Sequence, residues 1–193
     1  MNKLKYTILI AILGVFTLSS CGYNTMVNKQ ETVTAQWGQV QNAYQRRADL
    51  IPNLVSTVKG YASHEQETFT EVTEARARAT QVTVNPDELT EERLQQYQQA
   101  QGQLSAALGK LLMIRENYPE LKANQNFLAL QDELAGTENR IAVERNRFNE
   151  AARDYNQYIR RFPHVIYAGW FGFNKKGYFE ADAASQSAPV VDF

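Results

Sequence analysis

The chain has 193 residues, 44% of them hydrophobic, a formal net charge of -1 and one cysteine. The length suits a single domain. The charge argues against general nucleic-acid binding, which wants a basic face. One cysteine excludes an intrachain disulfide and a cysteine-based zinc site.

The N-terminus reads as a targeting segment. Lys3 and Lys5 precede an apolar run from Tyr6 to Leu18, which ends at Leu18-Ser19-Ser20-Cys21. A run of about 13 residues falls short of the ~20 that a helix needs to span a bilayer. A basic start, a short apolar middle and small residues before a break describe an export signal. The Leu-Ser-Ser-Cys ending resembles the lipobox of bacterial lipoproteins. That resemblance implies cleavage after residue 20 and an acylated Cys21 as the membrane anchor. An uncleaved anchor helix with an incidental cysteine is the competing reading.

Tyr23 to about Ala48 is expected as a first helix, because Met26, Val33, Trp37, Val40 and Tyr44 fall on one face. Pro52 then allows two readings. A tight turn across Arg46–Asn53, with Pro52 opening a second helix, is preferred, since proline removes a helix donor. A single long kinked helix is the alternative, because Trp37, Tyr44, Ile51 and Val58 keep a seven-residue phase across it. The second helix runs to about Gln81, and the β-branched stretch to Val84 makes a loop. Asn85-Pro86-Asp87-Glu88 has the chemistry of a helix start, and a third helix continues to about Asn117. The fourth is the strongest: Phe127, Leu134, Ile141, Phe148, Tyr155 and Phe162 recur every seventh position, and Pro163 stops the run. An aromatic and glycine-rich tail, Tyr167–Phe179, follows. Ala183–Phe193 is small and polar, with the composition of a disordered end.

Four amphipathic helices with short connections predict an all-α fold, an antiparallel up-and-down four-helix bundle with long helices and an irregular aromatic C-terminal tail. The expected division is a signal peptide over 1–20, a bundle over 21–163 and a tail over 164–193.

Arg46-Arg47-Ala48-Asp49-Leu50-Ile51-Pro52-Asn53-Leu54-Val55 and Val58-Lys59-Gly60-Tyr61-Ala62-Ser63-His64-Glu65 closely resemble the LemA family. So do Tyr118-Pro119-Glu120-Leu121-Lys122-Ala123-Asn124, Thr137-Glu138-Asn139-Arg140-Ile141, and Tyr155-Asn156 with Phe162-Pro163. The resemblance implies a membrane-anchored helical bundle outside the cytoplasm, with no established enzymatic activity. Many members carry an N-terminal membrane helix, whereas this chain offers a lipobox.

The expected location is the bacterial cell envelope, on the periplasmic or surface side. The expected role is a non-catalytic scaffold. His64 and His164 are too far apart in sequence for a zinc-protease helix, which needs two histidines four residues apart. No nucleophile turn or phosphate loop occurs, so no catalytic residue, metal, cofactor or small-molecule substrate is expected. Glu65, Gln101, Thr137, Glu138 and Glu144 lie on or beside the apolar seams, and with Arg76, Arg140 and Arg145 they are expected to form a paired network that fixes helix register. The turns far from the anchor hold Arg46, Arg47, Asp49, Tyr118, Glu120 and Lys122, a candidate site for an envelope protein partner. Trp170, Phe171, Phe173, Lys175 and Lys176 are a candidate membrane contact, which supports an alternative role as a structural membrane-surface module. The simpler reading of that tail is a plug on the bundle's membrane-proximal end.

Overall fold

The computed structural model describes the backbone of residues 2–180 and the side chains of residues 22–180. Cys21 and the candidate leader therefore lie outside the described side chains, and Ala183–Phe193 lies outside the described residues. The fold is all-α, with no strand among the described residues. Its helices are α1 (Asn2–Lys59), α2 (Gln66–Gln81), α3 (Glu91–Met113), α4 (Pro119–Lys122), α5 (Gln125–Arg160) and α6 (His164–Tyr167), with short 3-10 turns between some of them.

The preferred turn at Arg46–Asn53 does not form. α1 continues through Pro52 to Lys59, as the kinked-helix alternative required. Pro52 has no N–H to give the carbonyl four residues before it, that of Ala48. A donor from the next helix stands in: Arg76 Nε of α2 donates to the Ala48 carbonyl oxygen at 2.7 Å. A buried carbonyl that would otherwise lack a partner is thereby satisfied. The break comes instead at Gly60–Glu65, where the Gly60 and Ala62 N–H groups close the helix onto Ser56 and Val58.

The architecture is less regular than four long helices. From Gly22 onward α1 packs antiparallel to α5: Tyr61 meets Asn124 at one end, Trp37 meets Phe148 midway, and Gly22 abuts His164 at the other. α5 alone has 36 residues, so the spine is roughly 54 Å long at ~1.5 Å per residue. α2 covers the half towards Tyr61, and α3 runs into that half from the level of Trp37, where its Leu94 and Tyr97 pack. The core of that half holds Ile51, Leu54, Val58, Phe69, Leu104 and Phe127. The other half is built around Trp37, whose ring lies against those of Tyr97, Phe148 and Phe179.

Two further expectations are corrected. Asn85 does cap a helical start, accepting from the Asp87 N–H. That start is one 3-10 turn, however, and α3 begins at Glu91 under a second cap from Thr90. Between them the Leu89 carbonyl faces the tail and accepts from the Gly177 N–H at 2.8 Å. In α5 the heptad row is buried from Phe127 to Tyr155. Phe162 falls out of it, because α5 ends at Arg160; Phe162 is 81% exposed.

Candidate functional site

The tail after Gly172 is extended, and α5 reads its backbone. Asn156 Oδ1 accepts from the Lys176 N–H while its Nδ2 donates to the Lys176 carbonyl. Asn149 does the same to Phe179. The spacing follows from geometry: seven helical residues advance ~10.5 Å and three extended residues about 10 Å. Two asparagines one heptad apart thus grip every third tail residue, as a neighbouring strand would. Phe173 and Phe179 are buried in the core. Lys176 is buried too, and its ammonium donates to the carbonyls of Pro86 and Asp87. Burial lowers its pKa, with Asp87 opposing. The tail therefore runs back up the spine to the level of Trp37 and does more than close the end.

The candidate partner residues do not gather at one tip. Arg46, Arg47 and Asp49 sit partway along α1, because the turn that would have carried them is absent. Arg46 is exposed and pairs with Glu133 at 2.9 Å. Asp49 is exposed and accepts from Gln45. Arg47 is 1% exposed. Its guanidinium donates to Glu138 at 2.8 Å, to Ser105 at 2.7 Å, and to the side chain and carbonyl of Gln101. Gln101 in turn donates to the Ala79 carbonyl. One arginine thus fastens α1, α3 and α5 together, and α2 joins through Gln101. The signal for this was in the sequence: Met26, Val33, Val40, Arg47 and Leu54 form a heptad row, and all are buried.

Glu144 is also buried, but its partners Arg140 and Arg147 belong to α5 itself. The pairing with Arg140 was expected; it stays within one helix, and Arg47 is the residue that links helices.

The far end is formed by Gly60–Glu65 and Ile114–Asn124. Tyr118 donates to Glu65 at 3.2 Å, and Asn124 donates to the Tyr61 hydroxyl at 2.7 Å. Burial, and then the Glu65 carboxylate, raise the Tyr118 pKa. Lys122 and Arg115 hold Glu116 below its usual value. Glu120 and Lys122 are exposed there, as are His64, Tyr61 and Met113.

At the opposite end the candidate membrane residues divide. Trp170 is 82% exposed, and Phe171 and Lys175 are exposed, whereas Phe173 and Lys176 are buried and cannot touch a bilayer. Phe162, Val165 and Ile166 are exposed beside them. The heptad expectation claims Phe162 for the core, and Val165 and Ile166 fall between the end of that heptad and the aromatic stretch from Tyr167.

A cavity of about 110 Å³ lies between Tyr44, Ala48, Ala79, Tyr97 and Gln101. It is well below the ~300 Å³ at which small-molecule sites begin. Among the described residues no three histidine, cysteine or acidic side chains assemble as a metal set, and no helix is long and apolar enough to cross a membrane.

Fold and surface define a helical rod whose buried polar groups tie its own elements together. The chain belongs to the LemA family, whose defining sequence pattern matches residues 36–193. It is 26% identical to magnetosome protein MamQ 2 of Paramagnetospirillum magneticum over 186 residues, 88% of this chain and 68% of that protein. It is 25% identical to magnetosome protein MamQ of Magnetospirillum gryphiswaldense over 199 residues, 94% of this chain and 73% of that one. To protein LemA of Metamycoplasma hominis the identity is 24% over 154 residues, 79% and 67% of the two chains.

Proposed function

We propose that the protein is a non-catalytic scaffold of the bacterial cell envelope, tethered at the Gly22 end through Cys21 and presenting its far end to a protein partner. The observation that carries this reading is the distribution of exposed apolar side chains. Tyr61, Met113 and Leu128 belong to the Tyr61 end, and Tyr23, Phe162, Val165, Ile166, Trp170 and Phe171 to the other. Val143 is the remaining large one, on the shaft among the described residues. A rigid rod with two sticky ends suits bridging, since exposed residues on loops of a rigid frame serve recognition. Arg47, Gln101, Asn149, Asn156 and Lys176 are engaged in fastening the elements together, and the cavity beside Tyr44 is small for a substrate. The MamQ relatives are named for a cellular structure and not for a reaction.

The partner surface is revised from the sequence expectation. Tyr118, Glu120 and Lys122 remain in it, joined by Tyr61 and Met113; Arg46, Arg47 and Asp49 leave it. The test is a photoreactive amino acid placed at Met113 in intact cells, with one at Val143 as the shaft control. A discrete envelope protein captured from Met113 only, and lost on charge reversal at Glu120 and Lys122 with melting unchanged, is expected. Equal capture from Val143, or no capture from either site, contradicts the reading.

A further inference from the structure

Six of the ten large apolar side chains that stand exposed among the described residues lie at one end of the rod. They belong to the first turn of the described part of α1 and to the 162–171 segment packed beside it. The Phe171 ring lies 5.3 Å from that of Tyr23. The His164 ring is stacked 4.2 Å from Tyr158, near the end of α5. Gly22 is pressed so close that a Cβ there would lie 2.5 Å from the Tyr167 hydroxyl and 2.9 Å from His164. Phe162, Val165, Ile166 and Trp170 face outwards from this seat.

We propose that these side chains form an insertion collar, which enters the boundary between headgroups and acyl chains of the bilayer that holds the protein. The proposal rests on the tethered-rod reading only for where the bilayer lies. Three observations favour lipid over another occupant. First, the chain that leads away from Gly22 is the residue 6–18 apolar run ending at Cys21. Whether that run is retained or replaced by an acyl group on Cys21, the hydrophobic attachment leaves the rod next to these side chains. Second, much of the collar's backbone is already hydrogen-bonded. The N–H groups of Val165, Ile166, Ala168, Phe171 and Phe173 are bonded to the carbonyls of Arg161, Pro163, His164, Ala168 and Ala168. Paired N–H groups lower the cost of sinking these turns towards the acyl side of that layer, since unpaired backbone groups are costly in hydrocarbon. Third, Arg160 and Arg161 are exposed immediately before Phe162. That places cations next to the apolar side chains, where anionic headgroups would lie. Tryptophan and phenylalanine beside basic residues are the composition of interfacial contacts.

The two tryptophans make the test direct, because Trp37 is fully buried and Trp170 is not. The full protein is reconstituted into phosphatidylglycerol–phosphatidylcholine vesicles whose acyl chains are brominated near the headgroup. Its fluorescence is compared with that of Trp170→Phe in the same vesicles. The expected result is strong bromolipid quenching of the wild type, most of which Trp170→Phe loses, with helicity unchanged. Ile166→Trp in the Trp170→Phe background restores it. Vesicle-bound protein in which wild type and Trp170→Phe are quenched equally overturns the collar and leaves the tethered rod standing. A blue-shifted but unquenched Trp170 means that a second copy or another protein covers the patch, and also overturns it. Protein that fails to float with vesicles removes the tether and the collar together.

Discussion

The stand-in bond at Pro52 can be tested by a double-mutant cycle. Arg76→Met keeps the aliphatic stem and removes the donor to the Ala48 carbonyl. That carbonyl belongs to a residue only 3% exposed, and Pro52 cannot serve it. A buried acceptor left without a partner costs roughly 1–3 kcal/mol. At ~2–4 °C per kcal/mol for a chain of this size, the melting temperature should fall by several degrees. In a Pro52→Ala background the new N–H supplies the same carbonyl, so Arg76→Met should then cost only about 0.5 kcal/mol. The assay is urea unfolding followed by far-ultraviolet circular dichroism, with stabilities from linear extrapolation. A coupling of ~1–2 kcal/mol between the two positions is expected. Effects that add within about 0.5 kcal/mol would refute the reasoning, for then Arg76 does not replace the missing donor.

Other outcomes follow from the same contacts. Arg47→Met should cost about 2–4 kcal/mol, since it strands Gln101 and Ser105 and leaves Glu138 unpaired. Its neighbour Arg46, in a pair exposed at 64% and 42%, should cost at most ~0.5 kcal/mol on the same change; thermal melts of the two variants make the comparison. At Gly177 a Cβ would lie 2.8 Å from the Glu91 backbone nitrogen. Gly177→Ala should therefore loosen the tail at a cost of ~1–3 kcal/mol, seen as faster hydrogen exchange at Lys176 and Phe179. Stability should also fall in alkali. Burial raises the pKa values of Tyr97 and Tyr155 above 10.0, Tyr155 to about 12, so each favours the folded state below 10 and loses that contribution as pH climbs through its folded value. Lys176 works the other way: its lowered folded pKa makes the unfolded chain bind more protons, so stability gains slightly with pH up to its ordinary 10.5. Urea midpoints should hold or rise slightly to about pH 10 and drop beyond it, and Tyr155→Phe should flatten the drop.

The sequence carried the helices well and their interruptions badly. The heptad from Phe127 to Tyr155 declared its burial, because seven-residue spacing has one solution on a helix. Pro52 misled because the rule that proline ends a helix assumes no outside donor, and Arg76 lies 24 residues away in the chain. Arg47 shares the phase of Val33 and Val40, but arginine is so seldom buried that its charge points to a surface while its register points inward. With the turn absent, half of the candidate partner site lies on the shaft and not at the tip. The tail was recognised as packed from its aromatic content. Its route was not legible, because the grip of Asn149 and Asn156 depends on matching a helical rise to an extended one. Trp170 and Phe171 were singled out as membrane-facing, and their exposure is consistent with that. Phe162, Val165 and Ile166 joined them only once α5 was seen to stop at Arg160.

The central claim is that the rod stands on a bilayer by its Gly22 end and holds its other end away. Energy transfer from a fluorescent amino acid to acceptor-labelled lipids in reconstituted vesicles measures this. With donor sites at Val165 and Met113, separated by most of a ~54 Å spine, transfer should be efficient from Val165 and weak from Met113. Equal transfer from both sites would mean that the rod lies flat, and strong transfer from Met113 alone would mean that it stands the other way up.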